Sequence, residues 1–327
     1  MGSGRMAMSG SEPVIRPFRD GDEVAINEGF NRVFGLDRPL SEWCWKFPAA
    51  PEGRWIMLAE DVGGRLLAHY GASPMRLQVG DLVVRAGQPV DVYSTPEARR
   101  SKVFTHCYRA FIDAFGNQDH LPLMYGFPGG VHYEMGLTQL EYEPMGPVGY
   151  WRRAVGRGRR VWLSRYRVVQ GFNPDAADEL WTRARARYPV AGIRDASWLG
   201  RRFTGRPGVE YVFLTAQRRA RAVASAVVRV VGERLLWADL IWDGEDPRAL
   251  VELDRAADAV GIRSGCSVAE LWVRGDDEAA VCLTRRGWSA SPHPENLKMV
   301  ARAFHPGLDL HDIARRVYVT MGDSDLV

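Results

Sequence analysis

The sequence has few cysteines, and they lie far apart. Among its 327 residues are Cys44, Cys107, Cys266 and Cys282, with no C-x-x-C pair, and its seven histidines are scattered. A disulfide framework and a zinc site both need closely spaced or paired ligands. The pattern therefore predicts reduced thiols in a cytoplasmic protein, without a metal.

Long apolar runs and an excess of one charge are also lacking. No apolar stretch approaches the roughly 20 residues that cross a bilayer, and the polar segment Met1–Ser11 has no signal-peptide character. We expect residues 1–12 to be a disordered leader. With 43 basic and 40 acidic residues, nucleic acid is not an expected partner, and neither is a membrane. A serine hydrolase is disfavoured because G-x-S-x-G does not occur.

The most informative stretch is Val90–Phe115, which reads as an apolar strand, a basic turn and a helix from Val103. Such a turn collects unpaired backbone N–H groups and the positive end of the helix dipole. Its sequence Arg-Arg-Ser-Lys, 99–102, adds positive charge. The turn is suited to a phosphate-bearing ligand, although a plain solvated basic turn explains these residues equally well.

The residues around this turn decide between the two readings. The chain runs D-V-Y-S-T-P-E-A-R-R-S-K-V-F from Asp91, then L-P-L-M-Y-G-F-P-G-G, then H-Y-E-M-G-L from His132. This order resembles the core of the GNAT superfamily of acyl-CoA-dependent N-acyltransferases. In that family the turn after the strand reads R-x-x-G-x-G/A. Aligned on Arg99, the two glycines are replaced here by Lys102 and Phe104.

The resemblance implies that acetyl-CoA, or another acyl-CoA, is the co-substrate and that no metal is needed. It places the acyl-CoA against Val92, Tyr93, Ser94, Thr95, Arg99, Arg100, Ser101, Lys102, Val103 and Phe104. Alignment on Gly136 puts His132 where many members carry the tyrosine that protonates the departing thiolate, with Tyr133 beside it. Either side chain could give that proton, and an ordinary helix-face histidine is the alternative.

Element order indicates two similar halves. In the first half, strands are predicted at 55–60, 65–74 and 75–84, and Asp20 is expected to cap the first helix. After a basic, glycine-rich stretch the order of elements repeats, and Asp195-Ala-Ser-Trp-Leu-Gly-Arg-Arg-Phe resembles the segment from Ser41.

The predicted fold class is α/β (α+β), with two tandem GNAT-like domains, each a mixed, largely antiparallel sheet flanked by helices. The expected limits are 13–150 for the acyl-CoA domain, 151–165 for a basic linker and 166–327 for the second domain.

The second half lacks the chemistry of the first. Its turn after Trp242 is acidic, and Leu283 stands at the proton-donor position. We therefore expect a non-catalytic second domain. The tail, Val317–Val327, resembles the W/Y-x-x-x-x-G-D-S-D ending of bacterial tandem GNAT proteins. Its run Val317-Tyr-Val-Thr predicts a docked strand that would carry Asp323 and Asp325 to the acceptor site, where carboxylates hold an ammonium and receive its proton. A frayed terminus is the alternative.

The sequence thus favours an acyl-CoA-dependent N-acyltransferase that acts on a small-molecule amine. The alternative is a GNAT-like binding or scaffold protein that has lost acyl transfer. The acceptor and the oligomeric state cannot be read from these residues.

Overall fold

The computed structural model of the protein describes residues 12–49, 54–99, 101–156 and 164–326. The chain forms two compact units, each built from two stretches: Met1–Pro74 with Pro89–Leu121, and Met75–Gln88 with Pro122–Val327. Strands β3 (Leu66–Val79) and β4 (Leu82–Ser94) pass from one unit to the other. The predicted domain limits, 13–150 and 166–327, stay predictions.

The first unit combines antiparallel strands with three helices. Its remaining elements are β1 (Val14–Pro17), α1 (Asp22–Phe34), α2 (Leu40–Lys46), β2 (Ile56–Glu60) and α3 (Val103–Phe115). Strand β2 pairs antiparallel with β1 and with β3. Helix α3 buries Val103, Cys107, Tyr108 and Phe111, which share one face at helical spacing. The core of this unit gathers Ile26, Trp43, Phe47, Ile56, Leu58, Leu66 and Val90.

The second unit contains the other elements. They are β5 (Leu123–Gly126), α4 (Gly130–Gln139), β6 (Glu143–Pro147), β7 (Tyr150–Ala154), β8 (Arg167–Gln170), α5 (Pro174–Ala184), β9 (Val190–Gly192), α6 (Ala196–Leu199), β10 (Val212–Arg218), β11 (Arg221–Val231), β12 (Arg234–Trp242), α7 (Arg248–Arg263), β13 (Val268–Trp272), α8 (Glu278–Leu283), β14 (Ser289–Ser291), β15 (Lys298–Ala303), α9 (Leu310–Arg316) and β16 (Val317–Tyr318). Asn173 caps helix α5, because its side chain accepts a hydrogen bond from the Ala176 N–H.

Two sheets organise these strands. The seven-stranded sheet has the order β14-β7-β13-β12-β11-β10-β8 and is antiparallel except where β12 pairs with β13. In the other sheet, β4 pairs in parallel with β5 at Ala86↔Leu123 and Gly87↔Met124, and β15 lies between β5 and β6. The predicted fold class, a mixed α/β protein with two sheets flanked by helices, is confirmed.

Three local predictions are corrected. The expected strands 65–74 and 75–84 are instead one long strand, β3, and the start of β4, because Gly80 with φ 58° makes the hairpin turn between them. Helix α1 is preceded at its N-cap by Gly21 with φ 103°, not by Asp20. Residues 151–154 of the expected linker form most of β7, and residues 157–163 lie outside the described part of the chain.

Candidate functional site

The turn between β4 and α3 has the geometry that the sequence predicted. The Arg99 N–H donates to the Thr95 carbonyl (3.1 Å), and the Ser101 N–H and Oγ both donate to the Ala98 carbonyl (3.0 and 2.7 Å). Helix α3 then begins at Val103, and no acidic residue occupies its first turn. The first N–H groups of a helix have no intrahelical partner, so this end attracts an anion.

The predicted basic side chains of the turn face solvent. Arg99, Ser101 and Lys102 are exposed, whereas Arg100 lies outside the described residues. Lys102, which replaces a glycine of the family pattern, has φ −82° and ψ 3°. Because this conformation suits any residue, the turn does not need glycine at that position. Val103 is buried and Phe104 half-buried in the first turn of α3, where the Phe104 ring lies 6.1 Å from that of Tyr70.

Strand β4 divides its predicted ligand contacts between two faces. Val92 and Ser94 are half-buried, while Tyr93 and Thr95 are buried, as the alternation of a strand requires. The Tyr93 hydroxyl donates to the Ile26 carbonyl (3.0 Å), and burial raises the pKa of this phenol. Tyr93 therefore belongs to the core of the first unit, and Val92 and Ser94 are the better placed to meet a ligand.

Asp91 is the centre of a buried charged cluster in the first unit. It lies within β4 at φ 52°, a conformation uncommon for residues other than glycine. Its carboxylate accepts from Arg38 Nη1 at 2.5 Å and from Lys46 Nζ at 2.8 Å. Burial alone would raise the pKa of Asp91, but the two cations outweigh it and the pKa is lowered. The cluster holds an unusual strand conformation a few residues before the β4–α3 turn.

His69 contacts the backbone of the same strand. Its Nδ1 lies 2.8 Å from the Asp91 carbonyl, which can only accept, so Nδ1 carries the hydrogen. Complete burial lowers the pKa of His69 to about 4. The ring stacks on Tyr93 at 5.5 Å and lies so close to Gly71 that an added Cβ there would be 3.0 Å from Nε2. The histidine is therefore a neutral structural donor.

Sequence reasoning named Asp91 but missed its partners. A signal for them is present, since R-x-x-S-x-x-x-x-K/R-F occurs at residues 38–47 and again at 194–203. The first arginine of each copy contacts a strand aspartate: Arg38 pairs with Asp91, and Arg194 Nε lies 3.4 Å from Asp239 Oδ1. Each aspartate stands three residues before the end of its strand.

The predicted proton donors lie on α4 of the second unit, whereas the β4–α3 turn belongs to the first. His132 is exposed, and Tyr133 is half-buried with Lys298 Nζ 4.7 Å from its ring centroid. Their role stays a prediction.

The tail is docked, as predicted, but Asp323 is not an open carboxylate. Strand β16 pairs in parallel with β9 at Val317↔Val190 and Tyr318↔Ala191. Asp323 is 4% exposed, forms an ion pair with Arg194 and accepts from the Thr320 N–H at 2.8 Å. The expectation that the docked strand presents Asp323 as an open carboxylate at the acceptor site is thus corrected, because its charge is paired with Arg194 and fixes the chain end.

The rest of the G-D-S-D sequence is held in the same way. Arg202 donates to the Gly322 carbonyl at 2.8 Å and also to the Ser324 carbonyl, and burial lowers the pKa of Arg202 to about 10. An added Cβ at Gly322 would lie 2.9 Å from the Phe203 ring. Asp325 is half-buried, and Val327 lies outside the described residues.

The described part of the chain holds neither an evident metal site nor a membrane-spanning helix. No group of three or more histidine, cysteine, aspartate or glutamate side chains there is arranged to hold a metal. In the same part of the chain, no helix has the length and apolar character needed to span a membrane.

Comparison with known families identifies the class. Residues 14–142 match the family model described as acetyltransferase (GNAT) domain. The match confirms, for residues 14–142, the resemblance to GNAT acetyltransferases seen in the sequence. None of the curated proteins compared with the chain matches its sequence.

Solved structures share the fold over most of the chain. A protein of Enterococcus faecalis described as a probable N-acyltransferase has a TM-score of 0.68 at 12% identity, covering 90% of this chain and 73% of its own. A GCN5-related N-acetyltransferase from Anabaena variabilis gives 0.68 at 10% identity, with the same coverage. Saccharomyces cerevisiae N-myristoyltransferase with bound myristoyl-CoA gives 0.60 at 12% identity, covering 96% and 90%. These similarities concern the fold, and they extend well beyond residues 14–142.

Proposed function

We propose that the protein transfers an acyl group from acetyl-CoA, or another acyl-CoA, to the amine of a small molecule. The observation that carries the proposal is the β4–α3 turn within the matched domain. Its helix end has no acid in the first turn, and Arg99 and Lys102 are exposed beside it. A pyrophosphate supplies the negative charge that this arrangement lacks.

The reaction requires little more than positioning and two proton transfers. The neutral amine attacks the thioester carbonyl, a C–N bond forms and the C–S bond breaks. The thiolate of CoA then takes a proton, and the new amide nitrogen loses one. We assign the donated proton to His132 or Tyr133.

Direct transfer also agrees with the cysteines. Cys107 is buried with its Sγ 3.3 Å from the Met57 carbonyl, and burial raises the pKa of its thiol to about 12. A thiol of that pKa is not a nucleophile near neutral pH. A covalent acyl-cysteine route through Cys107 is therefore disfavoured.

Fewer observations support the assignment of the acceptor site. An ammonium-bearing substrate needs a carboxylate or water to receive its proton, and Asp325 is the predicted tail acid that is still partly exposed. Asp323 is occupied by Arg194 and does not serve this purpose.

Calorimetric titration with acetyl-CoA tests the proposal. Replacing both charges, Arg99→Ala with Lys102→Ala, should weaken binding about 100-fold, because each charge-assisted hydrogen bond is worth about 1.5–3 kcal/mol before screening by solvent. Arg109→Ala is the matched control, since Arg109 is exposed on the same helix beyond its first turn. Equal affinities for the double variant and the wild type would overturn the assignment of the site.

Turnover is measured separately. Release of free CoA thiol in the presence of a panel of amino sugars, amino acids and other amines should identify an acceptor. Acetyl-CoA binding that depends on the turn, combined with no turnover for any amine, would instead favour the binding or scaffold protein.

A further inference from the structure

The second unit contains two adjoining cavities of different character. One, of about 380 Å³, is polar and carries the guanidinium groups of Arg187, Arg274, Arg315 and Arg316. The other, of about 410 Å³, is lined mainly by apolar side chains, among them Phe127, Met145, Val148, Met299, Ala314 and Val319. Both volumes fall in the range of roughly 300–1,000 Å³ found for small-molecule sites.

The cavities meet along a common wall. Arg274, Asp276 and Val317 line both of them. Arg274 and Asp276 directly follow β13, and Trp242 at the end of β12 lines the polar cavity. Strands β12 and β13 are parallel, and the carboxyl ends of parallel strands are where α/β sheets bind ligands.

Arg274 is held so that its ion-pair partner can be exchanged. Its Nε and Nη2 each donate to the Asp276 carboxylate at 2.9 Å, and its Nη1 donates to the Ala314 carbonyl at 3.1 Å. The Asp276 side chain is 71% exposed and that of Arg274 35%. Another carboxylate can therefore replace Asp276 on the guanidinium fork, while the bond to Ala314 keeps the fork in place.

The charges around the polar cavity are nearly balanced, so an anion would bind through Arg274 itself. The polar cavity has four arginines against the acids Asp276, Asp277 and Glu278. Three of these arginines are also ion-paired: Arg187 with Glu278, and Arg315 and Arg316 with Asp312, which is not among the residues that line the cavity. The lining alone has one basic side chain more than acidic ones, and Asp312 cancels that excess. Beside it lies an apolar cavity whose charged lining residues are the shared Arg274 and Asp276.

We propose that this double cavity binds an amphipathic carboxylic acid, with its carboxylate on Arg274 and its apolar body against Met299 and Ala314. The site uses no residue of the β4–α3 turn, so it stands whether or not that turn binds acyl-CoA.

Titration of the full chain with octanoate tests the ligand class. Octanoate should bind saturably, whereas acetate, which has only the head group, and octanol, which has only the body, should each bind at least about tenfold more weakly, the equivalent of roughly 1.4 kcal/mol. Octanol binding as tightly as octanoate, or no binding of octanoate, would overturn the proposal.

Variants of the shared wall test the geometry. Arg274→Gln and the cavity-filling Ala314→Leu should each weaken octanoate binding about tenfold or more. Asp276→Asn should tighten it several-fold, because the competing carboxylate is removed. The control pair is Arg65→Gln and Asp61→Asn, a partly exposed ion pair of the first unit, which should leave affinity unchanged. A damaged fold cannot tighten binding, so weaker or unchanged binding in Asp276→Asn would contradict the exchange of carboxylates.

Discussion

The segments β4–α3 and β12–α7 follow one plan and differ at the turn. Each strand has a buried aspartate three residues before its end, paired with an arginine that lies two residues before a short helix: Asp91 with Arg38, and Asp239 with Arg194. Each strand leads through a turn into a long helix. The shared part is buried ion pairing, which supports the scaffold.

The turns themselves are opposite in charge and in occupancy. The residues before α3 are basic and those before α7 include Asp243, Glu245 and Asp246, although neither helix has an acid in its first turn. In the second, the Asp246 carboxylate accepts from the Arg248 N–H at 2.9 Å, and the Arg187 guanidinium lies where a side chain at Gly244 would be. Asp246 and Arg187 of the chain itself thus occupy the second turn, whereas at the first the Val103 N–H donates to the Ser101 hydroxyl at 3.3 Å. We expect an external anion to bind at the first turn, where the chain supplies positive charge, and not at the second.

Reversing the charge of the first turn should have the largest effect on acetyl-CoA binding. Arg99→Glu with Lys102→Glu makes this turn resemble the acidic one, and repulsion replaces attraction on both sides of the helix end. Acetyl-CoA affinity should fall more than about 1,000-fold, because two charge-assisted contacts are lost and two repulsive ones are added. Calorimetry measures the loss, with Arg109→Glu as the control. Retained binding in the double variant would place the acyl-CoA elsewhere.

The second difference concerns the candidate proton donors. His132 and Tyr133 lie on α4, and the corresponding segment of α8 carries Leu283. Removing both candidate donors, His132→Gln with Tyr133→Phe, should lower kcat about 100-fold, within the range for general acids. The acetyl-CoA Kd should stay constant. Single variants then show, through the pH dependence of kcat, which of the two gives the proton; full activity in the double variant would exclude both.

The two buried aspartates also differ in what supports them. Asp91 has His69 against its carbonyl, whereas Asp239 accepts from Thr320 Oγ1 at 2.8 Å. The pKa of His69 is about 4 in the folded protein and about 6.5 when unfolded. Between these values the unfolded chain binds more protons, so stability falls as pH drops from 6.5 to 4, by up to about 3 kcal/mol. Asp91, with its lowered pKa, stays charged through this window.

Urea unfolding at several pH values measures this effect. The variant His69→Asn keeps a donor near the Nδ1 position and cannot titrate. Its stability should be lower than that of the wild type at pH 7, because the packing of the ring is lost. The difference should shrink toward pH 4, because the wild type alone loses the stability that depends on a neutral His69. A constant difference across this range would show that His69 is not the titrating group.

A substitution in the turn between β12 and α7 should give a smaller effect. Asp246→Ala removes the carboxylate that accepts from Arg248 and from the Tyr166 hydroxyl, at 2.9 and 2.7 Å. We expect a loss of about 1–2 kcal/mol in the free energy of unfolding, typical of a lost helix-terminal acceptor. No second acetyl-CoA site should appear, because Arg187 still covers Gly244. A second equivalent of bound acetyl-CoA would contradict this explanation.

The features that the sequence predicted correctly are those that depend on local sequence patterns. The order of strands and helices and the turn before α3 both depend on residues close together in the chain. The partners of Asp91 could not be found in this way, because Arg38 and Lys46 lie 53 and 45 residues away. Asp323 was misjudged for the same reason. The sequence placed it at an acceptor site, but Arg194, 129 residues earlier, pairs with it in the interior.

The smallest predicted effect concerns Lys102, the residue at which this turn departs from the glycine pattern of its family. If the Cβ obstructs the phosphates, Lys102→Gly should bind acetyl-CoA better than Lys102→Ala. Because the Lys102 side chain is exposed, we expect no such obstruction. Both variants should bind within about twofold of each other and several-fold more weakly than the wild type, since each loses one charge. A clear advantage for the glycine variant would mean that the Lys102 side chain obstructs the phosphates. The turn would then bind acetyl-CoA less well than its positive charge indicates.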